Sequence, residues 1–386
     1  MQRYPLAPLE NEVVLVHSNG IAQWLKLALA EDPDIGGCGI AAALDVQLPA
    51  RFLWQTYRFV LGAETTPESS PLDKAALSWR LMRLLPQLLS KTNFSSLRRF
   101  LQEDDDQRKL YQLSERLADL FDQYQVYRAD WLEDWAAGRD QLKHIKGGVK
   151  PLDADNLWQA ELWREVLADV GEGALEQSRA GVHKRFVARL REPGRTPNGL
   201  PRRVVVFGIS SMPAQVLEAL EILSRYSQVL LCVHNPCRHH WADIVADKDL
   251  LRHQYKRQAR KSGMPVVLDS QTLHQHAHPL LAAWGKQGRD YINLLDSYDD
   301  PNSYRSAFRD GRIDLFSDGQ PLNMLNQLQD DILELRPLNE TRDRWPAVDL
   351  KVDQSIRFHV AHSAQREVEI LHDQLLARFS ADRDLK

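Results

Sequence analysis

The fold class is decided by the run Arg203-Val204-Val205-Val206-Phe207. After its first residue the run is continuously apolar rather than alternating, which is typical of a strand buried on both faces of a parallel sheet. A turn over 208–213 leads into a helical pattern over 214–223, and 229–233 predicts the next strand, with Cys232 buried in it. The order strand, helix, strand predicts an α/β fold.

The chain opens with the same pattern. Val13-Val14-Leu15-Val16 predicts a strand, and apolar residues at helical spacing follow the turn 17–20. The segments 40–48 and 50–61 predict a second strand and a second helix. Between the two α/β parts lies helical sequence over 73–138, 156–167 and 183–190, with its clearest apolar stripe over 108–126.

Beyond the second α/β part, the pattern predicts helices at 250–261, 280–295 and 322–335, a linker over 336–354, an alternating strand over 355–360 and a final helix. The polar segment that closes the sequence predicts a chain that continues in a longer protein. We expect four segments: 1–64, the first part of an α/β domain; 65–190, a helical insertion; 191–350, the second part of the α/β domain; and 351–386, the truncated start of another domain.

The composition describes an ordinary globular chain. It has 386 residues, with 49 Lys plus Arg against 53 Asp plus Glu, and 43% of the residues are hydrophobic. The net charge of −4 argues against a small basic module that binds duplex DNA by charge alone, but a neutral total can contain a basic channel. The three cysteines imply no disulfide framework. No membrane span or secretory leader is recognisable, so we expect a cytoplasmic protein.

The strand ends lack the sequence motifs of known catalytic sites. A P-loop requires Gly-x-x-x-x-Gly-Lys-Ser/Thr, and the nearest match, Gly285-Lys286, lacks both the first glycine and the hydroxyl. The strand 203–207 ends in Gly208-Ile209 rather than in acidic residues, and no Gly-x-Ser-x-Gly elbow occurs. Asp349-Leu350-Lys351 and Asp384-Leu385-Lys386 match half of a nuclease motif but are more typical of solvated charges. We predict no catalytic residue.

Two groups of residues can be interpreted in more than one way. The zinc-binding atoms of Cys232, His234, Cys237, His239 and His240 lie close in sequence, and His274, His276 and His278 could add more. No second Cys-x-x-Cys pair is present, so we predict no metal site. On the helix 108–126, Asp119, Asp122 and Gln123 share one face. Such carboxylates can accept from cytosine N4, and Arg128 can donate to guanine, yet the pattern is more typical of a solvated acidic helix face.

Blocks along the whole chain resemble the N-terminal part of the RecC family, the gamma chains of exodeoxyribonuclease V, the bacterial RecBCD complex. The blocks are His17 to Leu25, Leu48 to Trp54, Leu77 to Met82 with Leu84-Leu85-Pro86, Asp119 to Arg128, Phe207 to Ser210, Asn235 to Arg238, Trp284 to Lys286, Gly288 to Ile292, and His362 to Glu369. The resemblance implies a superfamily 1 helicase-like fold without motor motifs. The insertion would then correspond to a 1B-like domain, and 351–386 to the start of a second helicase-like domain.

The resemblance also implies a function and partners. Family members split duplex ends, guide the 3′-ended strand through a channel and scan it for the Chi hotspot. They work in a heterotrimer with RecB-like and RecD-like subunits, and the complex uses ATP and Mg²⁺ through those subunits, so no cofactor is expected on this chain. The alternatives are a structural scaffold without sequence recognition and a subunit of an AddAB-like complex, although the latter normally carries a nucleotide motif and cluster cysteines.

By resemblance, the residues that contact DNA line the channel wall. They are His17, Asn19, Gln23, Leu48, Trp54, Asp119, Leu120, Asp122, Arg128 and Arg179. The family usually has Gln and Thr at positions 17 and 19, so His17 and Asn19 offer a base a different set of donors and acceptors. Of the ten tryptophans, we assign Trp54 to the channel; we assign five to helical cores, namely Trp79, Trp131, Trp135, Trp158 and Trp163.

Overall fold

The computed structural model describes residues 5–7, 9–102, 107–144, 147–192, 197, 199–239, 241, 278–298, 315–320, 322–382 and 385. They belong to two compact units, Met1–His234 and Asn235–Lys386. Among the described helices, none is both long and apolar enough to cross a membrane.

The first unit contains one parallel sheet and one small hairpin. Its described residues form six strands, β1 (Glu12–Leu15), β2 (Leu44–Gln47), β3 (Gln141–Lys143), β4 (Val149–Pro151), β5 (Arg203–Phe207) and β6 (Gln228–Cys232). The sheet has the order β2-β1-β5-β6 with every neighbouring pair parallel, whereas β3 and β4 pair antiparallel. The predicted parallel α/β fold is therefore confirmed, with β5 buried as its sequence indicated.

Burial of Cys232 was a wrong prediction. The side chain is exposed, and β6 as a whole is only partly covered. The reason lies in the sheet order, because β6 is an edge strand, and an apolar run does not reveal whether a strand is central or peripheral.

Nine α-helices in the described part of the first unit surround this sheet or form the insertion. They are α1 (Asn19–Ala30), α2 (Pro49–Leu61), α3 (Lys74–Leu88), α4 (Ser95–Phe100), α5 (Arg108–Tyr127), α6 (Ala129–Ala136), α7 (Leu157–Val170), α8 (Arg179–Arg191) and α9 (Ala214–Leu223). One sheet face packs on α1 through Val14, Val16 and Val205. The helix α9 connects β5 to β6 and contacts α2 and α8. Because parallel crossovers are right-handed as a rule and those through α1 and α9 leave in opposite directions, we infer that α9 covers the other face.

The insertion has a core of its own. Leucines of α3 and α5 pack with Phe121, Trp135 and Trp163, all of which are fully buried. Phe121 and Trp163 stack with ring centroids 5.4 Å apart. The predicted helix over 108–126 is confirmed as α5, and its apolar stripe is the side that enters this core.

Of the five tryptophans assigned to helical cores, four are confirmed and one is not. Trp131 and Trp158 pack partly buried against the core that contains Trp135 and Trp163. Trp79 is instead 67% exposed and contacts Tyr111 on the outer side of α3 and α5. Periodicity failed here because α3 has apolar residues on more than one side, and only its packing against α5 selects the buried one.

The second unit is helical in its described parts. Its helices are α10 (Pro279–Trp284), α11 (Lys286–Ser297) and the helices Met324–Leu333, Leu338–Arg344 and Ala364–Ala381. The single helix predicted over 280–295 is thus interrupted at Gly285, and the predicted linker 336–354 contains a helix. The helix predicted over 250–261 lies outside the described residues.

The strand predicted over 355–360 is wrong. These residues form no strand, and Phe358 and Val360 are 89% and 95% exposed. Alternating residues become a strand only when a neighbouring strand supplies hydrogen bonds. The described part of the second unit contains no strand that does so.

Candidate nucleic-acid interface

Four of the residues assigned to DNA lie at the carboxyl edge of the sheet. His17 and Asn19 follow β1, and both are exposed; Gln23 is exposed one turn into α1. The Ser18 hydroxyl caps α1 by accepting from the Ile21 amide at 3.3 Å, which fixes the turn between strand and helix. Leu48 follows β2, the neighbour of β1, and is 37% exposed. Parallel pairing therefore brings these four residues to one edge.

Trp54 lies on α2, partly buried. Its Nε1 donates to the Glu68 carbonyl at 2.8 Å, and its ring meets the edge of Tyr57 at 6.4 Å. The indole is held by the loop that follows α2, so its orientation is fixed by the protein itself.

Asp119, Asp122 and Arg179 meet where three helices approach one another. Arg179, the first residue of α8, donates from Nε and Nη2 to one Asp73 carboxylate oxygen at 3.1 and 3.0 Å. Its Nη2 is also 3.3 Å from Asp122 Oδ1. One turn earlier on α5, Asp119 accepts from Lys74 Nζ at 2.8 Å. The result is a mixed-charge cluster of five side chains.

The two α5 carboxylates of this cluster differ electrostatically. The hydrogen bond from Lys74 lowers the pKa of Asp119 and raises that of Lys74. Burial raises the pKa of Asp122, against the opposing effect of Arg179. Asp119 is thus a firmly ionised acceptor near the surface, whereas the Asp122 carboxylate is held in a less polar setting.

Gln125 joins this cluster to the protein core. It is fully buried, donates to the Leu72 carbonyl at 2.9 Å, and its Oε1 is 3.5 Å from the Arg179 amide. Our sequence interpretation omitted Gln125, Asp73 and Lys74. A glutamine on the buried side of an amphipathic helix was the available signal for the first, and the position just before a helix was the signal for Asp73.

Arg128 and Leu120 occupy other settings. The Arg128 guanidinium donates to both Asp130 oxygens at 3.0 and 2.8 Å and to the Lys143 carbonyl, and it stacks over the Trp131 ring at 3.7 Å. Its donors therefore hold α6 against β3. Leu120 is partly buried against the insertion core. The assignment of both to DNA remains a prediction.

The arrangement offers hydrogen-bond donors and acceptors of both charges. Among the described residues, no three His, Cys, Asp or Glu side chains cluster as metal ligands. Cys237 is buried, and its sulfur is 3.4 Å from the Leu333 carbonyl; His239 contacts Glu334 at 3.2 Å. His240, His274 and His276, which belonged to the zinc hypothesis, lie outside the described residues.

Comparison with known proteins identifies the family. The protein-family model described as RecC, N-terminal domain, matches residues 1–335 of the sequence. The chain is 40% identical to the RecBCD enzyme subunit RecC of Escherichia coli K12 over 98% of its own length, and 36% identical to that of Haemophilus influenzae over 99%. A more distant relative from Mycolicibacterium smegmatis is 24% identical over 98% of this chain. The chain spans 33% of the first relative and 35% of the second. It therefore belongs to the RecC family.

Proposed function

We propose that this chain is the non-catalytic DNA-binding part of an ATP-dependent helicase and exonuclease complex of the RecBCD type. Its relatives are named subunits of the RecBCD enzyme, which supports assembly with RecB-like and RecD-like subunits. In that complex the chain splits duplex ends, channels the 3′-ended strand and reads the Chi hotspot during recombinational double-strand break repair. Its substrate, chromosomal DNA, makes the cytoplasm its compartment.

The proposed fold is a superfamily 1 helicase-like domain that lacks the motor residues. In support, β1 runs directly into α1 through Val16-His17-Ser18, which has neither the glycines nor the lysine of a P-loop. The Gly285-Lys286 pair lies between α10 and α11 rather than after a strand. ATP and Mg²⁺ are therefore assigned to the partner subunits.

One observation supports the DNA-reading role. The Arg179 guanidinium contacts the Asp122 carboxylate, and Asp119 lies one turn away on α5. Arginine offers a fork to guanine O6 and N7, and carboxylates accept from cytosine N4. Asp73 binds the arginine on one side, and such support orients a side chain before a ligand arrives. A cluster with both signs of charge can discriminate between bases, whereas a purely basic surface would bind any sequence through phosphates.

The second candidate is a structural scaffold that reads no sequence, as in an AddAB-like assembly. The packing of Arg128 favours it, since that guanidinium is bound by Asp130, Lys143 and Trp131. Asp119, Asp122 and Arg179 would likewise be packing residues in a scaffold. Their ion pairs would then hold α3, α5 and α8 together without any contact to DNA.

Selection from random sequence distinguishes the two candidates. The complex containing the full-length subunit is given linear duplexes with a randomised eight-base segment, and the surviving 3′-ended strands are sequenced. Recognition predicts one enriched sequence at the strand ends, whereas a scaffold predicts unwinding with no enrichment.

Two matched substitutions on α8 refine this test. Arg179→Ala should reduce the enrichment by about 5- to 150-fold, the value of about 1–3 kcal/mol for a lost base contact, without slowing unwinding. Arg189→Ala, which removes an arginine paired with Glu192 at the end of the same helix, should leave both unchanged. Equal loss of unwinding and enrichment in Arg179→Ala would contradict the reading role.

A further inference from the structure

The sheet has a topological switch point between β1 and β5. From β1 the chain crosses through α1 to β2 on one side, and from β5 it crosses through α9 to β6 on the other. The two connections leave in opposite directions, which opens a crevice outside the carboxyl ends of these two central strands. Ligands of open α/β sheets bind at this place.

An aromatic pair spans the crevice. The Trp24 indole, on α1, stacks on the ring of Phe207, the last residue of β5, with centroids 6.2 Å apart and planes 20° from parallel. Phe207 is partly buried against the sheet core, but Trp24 is 58% exposed. One face of the indole is therefore backed by the protein and the other is open to solvent.

The position one turn before the indole carries no side chain. Gly20 lies one turn before Trp24 on the same side of α1, and a Cβ at Gly20 would meet only the Ser18 hydroxyl oxygen, at 3.8 Å. The adjacent exposed side chains are Asn19 and Gln23, which carry both donors and acceptors. A flat ligand with a hydrogen-bonding edge fits these neighbours.

The charge at this edge favours an anion. None of the four residues that follow each of β1, β2, β5 and β6 is an aspartate or glutamate, although the chain as a whole has net charge −4. Arg51, in the first turn of α2, is exposed at the same edge, and Lys26 is exposed two turns into α1. Acidic residues lie instead at the amino edge, where Glu10 and Glu12 pair with Arg202 and Arg203.

We propose that Trp24, backed by Phe207, is a stacking site for one unpaired base of a DNA single strand that crosses the carboxyl edge of the sheet. This inference rests on the proposed function and adds a residue and a contact to it. Stacking on an aromatic face is tolerant of base identity, so Trp24 would hold the strand in register while polar neighbours meet the base edge.

Site-specific crosslinking tests the proposal. The probe is a duplex with a 3′ single-stranded tail that carries one 5-iodouracil, moved base by base along the tail. It is bound to the complex with the full-length subunit and irradiated, and the adduct is mapped by peptide mass spectrometry. One tail position should give an adduct at Trp24, and Trp24→Leu should remove it and weaken tail binding at least about fivefold. Trp24→Phe, which keeps a π face, should retain most of the binding.

A matched control is available in Trp79→Leu. Trp79 is 67% exposed in the same unit and contacts an aromatic ring, but it lies on the insertion. It should change neither the adduct nor the affinity, and the melting temperatures of both leucine variants should match that of the parent complex.

The possible failures are distinguishable. An adduct at Trp54 without one at Trp24, or unchanged affinity in Trp24→Leu, overturns the stacking site and leaves the proposed function in place. Loss of subunit assembly in Trp24→Leu without DNA also overturns it, because Trp24 would then be a contact for a partner subunit. A tail that binds the complex but gives no adduct anywhere on this chain contradicts the proposed function as well.

Discussion

The Tyr57 hydroxyl lies 2.9 Å from Nδ1 of His183, and both side chains are buried. The other imidazole nitrogen, Nε2, is 3.0 Å from a Glu218 carboxylate oxygen, so one chain of hydrogen bonds joins α2, α8 and α9. Trp54 lies one turn before Tyr57 on α2, and Arg179 lies one turn before His183 on α8. These bonds therefore fix the spacing of two residues assigned to DNA.

Removal of that hydroxyl should cost stability and hotspot response together. Tyr57→Phe keeps the ring contact with Phe186 but leaves the buried His183 Nδ1 without a partner, which should lower the free energy of unfolding by about 1–3 kcal/mol. In urea titrations the control is Tyr226→Phe, which removes a hydroxyl that donates to the Leu190 carbonyl at the far end of α8. If both variants lose the same stability and the same hotspot enrichment, the positioning role of Tyr57 is wrong.

Substitution of Arg128 should act mainly through folding. Arg128→Ala removes the bonds to Asp130 and Lys143 and the stacking on Trp131, so we expect a loss of about 1.5–3 kcal/mol in urea unfolding. The control in the same urea titration is Arg139→Ala. Arg139 is more exposed than Arg128 and pairs with the carboxylate of Asp134. A stable Arg128→Ala protein with lost hotspot enrichment would instead assign Arg128 to the DNA.

The Asp134 carboxylate should make stability depend on pH in the acid range. Burial raises its pKa, but hydrogen bonds from Gln141, Lys143 and Arg139 outweigh burial and bring the pKa to about 2, from 3.8 in an unfolded chain. A lowered folded-state pKa stabilises above the unfolded value and loses this effect as pH falls from about 4 through 2. Asp134→Asn should thus cost about 1.5–3 kcal/mol at pH 7 and much less at pH 2.5, measured by urea unfolding.

The control for this pH dependence is Asp153→Asn. Asp153 pairs with Lys150 at 3.1 Å, but both side chains are more than half exposed, so its loss should change stability by less than about 1 kcal/mol at either pH. A difference between parent and Asp134→Asn that stays constant down to pH 2.5 would contradict the assigned pKa.

Truncation of a buried tryptophan should cost much more stability than truncation of an exposed one. Trp163→Ala empties a fully buried site and breaks the bond from Nε1 to the Leu132 carbonyl, so we expect a loss of about 3–5 kcal/mol. Trp79→Ala removes an exposed ring and should change the unfolding free energy by about 0.5 kcal/mol or less. Comparable losses from thermal or urea unfolding would show that Trp79 is covered in the folded protein.

The sequence by itself determined the order and type of most elements. The β5 run, the amphipathic stripe of α5 and the turn after β1 each contain a local signal, because burial of a strand or helix imposes a period on the residues within it. The family resemblance was also available from the sequence, since whole motifs such as Leu48 to Trp54 stand in order along the chain.

Only the tertiary structure decided which of these residues meet. Arg179 and Asp73 are 106 positions apart, and their pairing depends on how α8 approaches the start of α3. Neighbouring elements likewise determine that Trp79 and Cys232 are exposed and that 355–360 is irregular. Periodicity reports which side of an element is apolar, but the contacts between elements follow from packing angles and sheet order, which no single segment encodes.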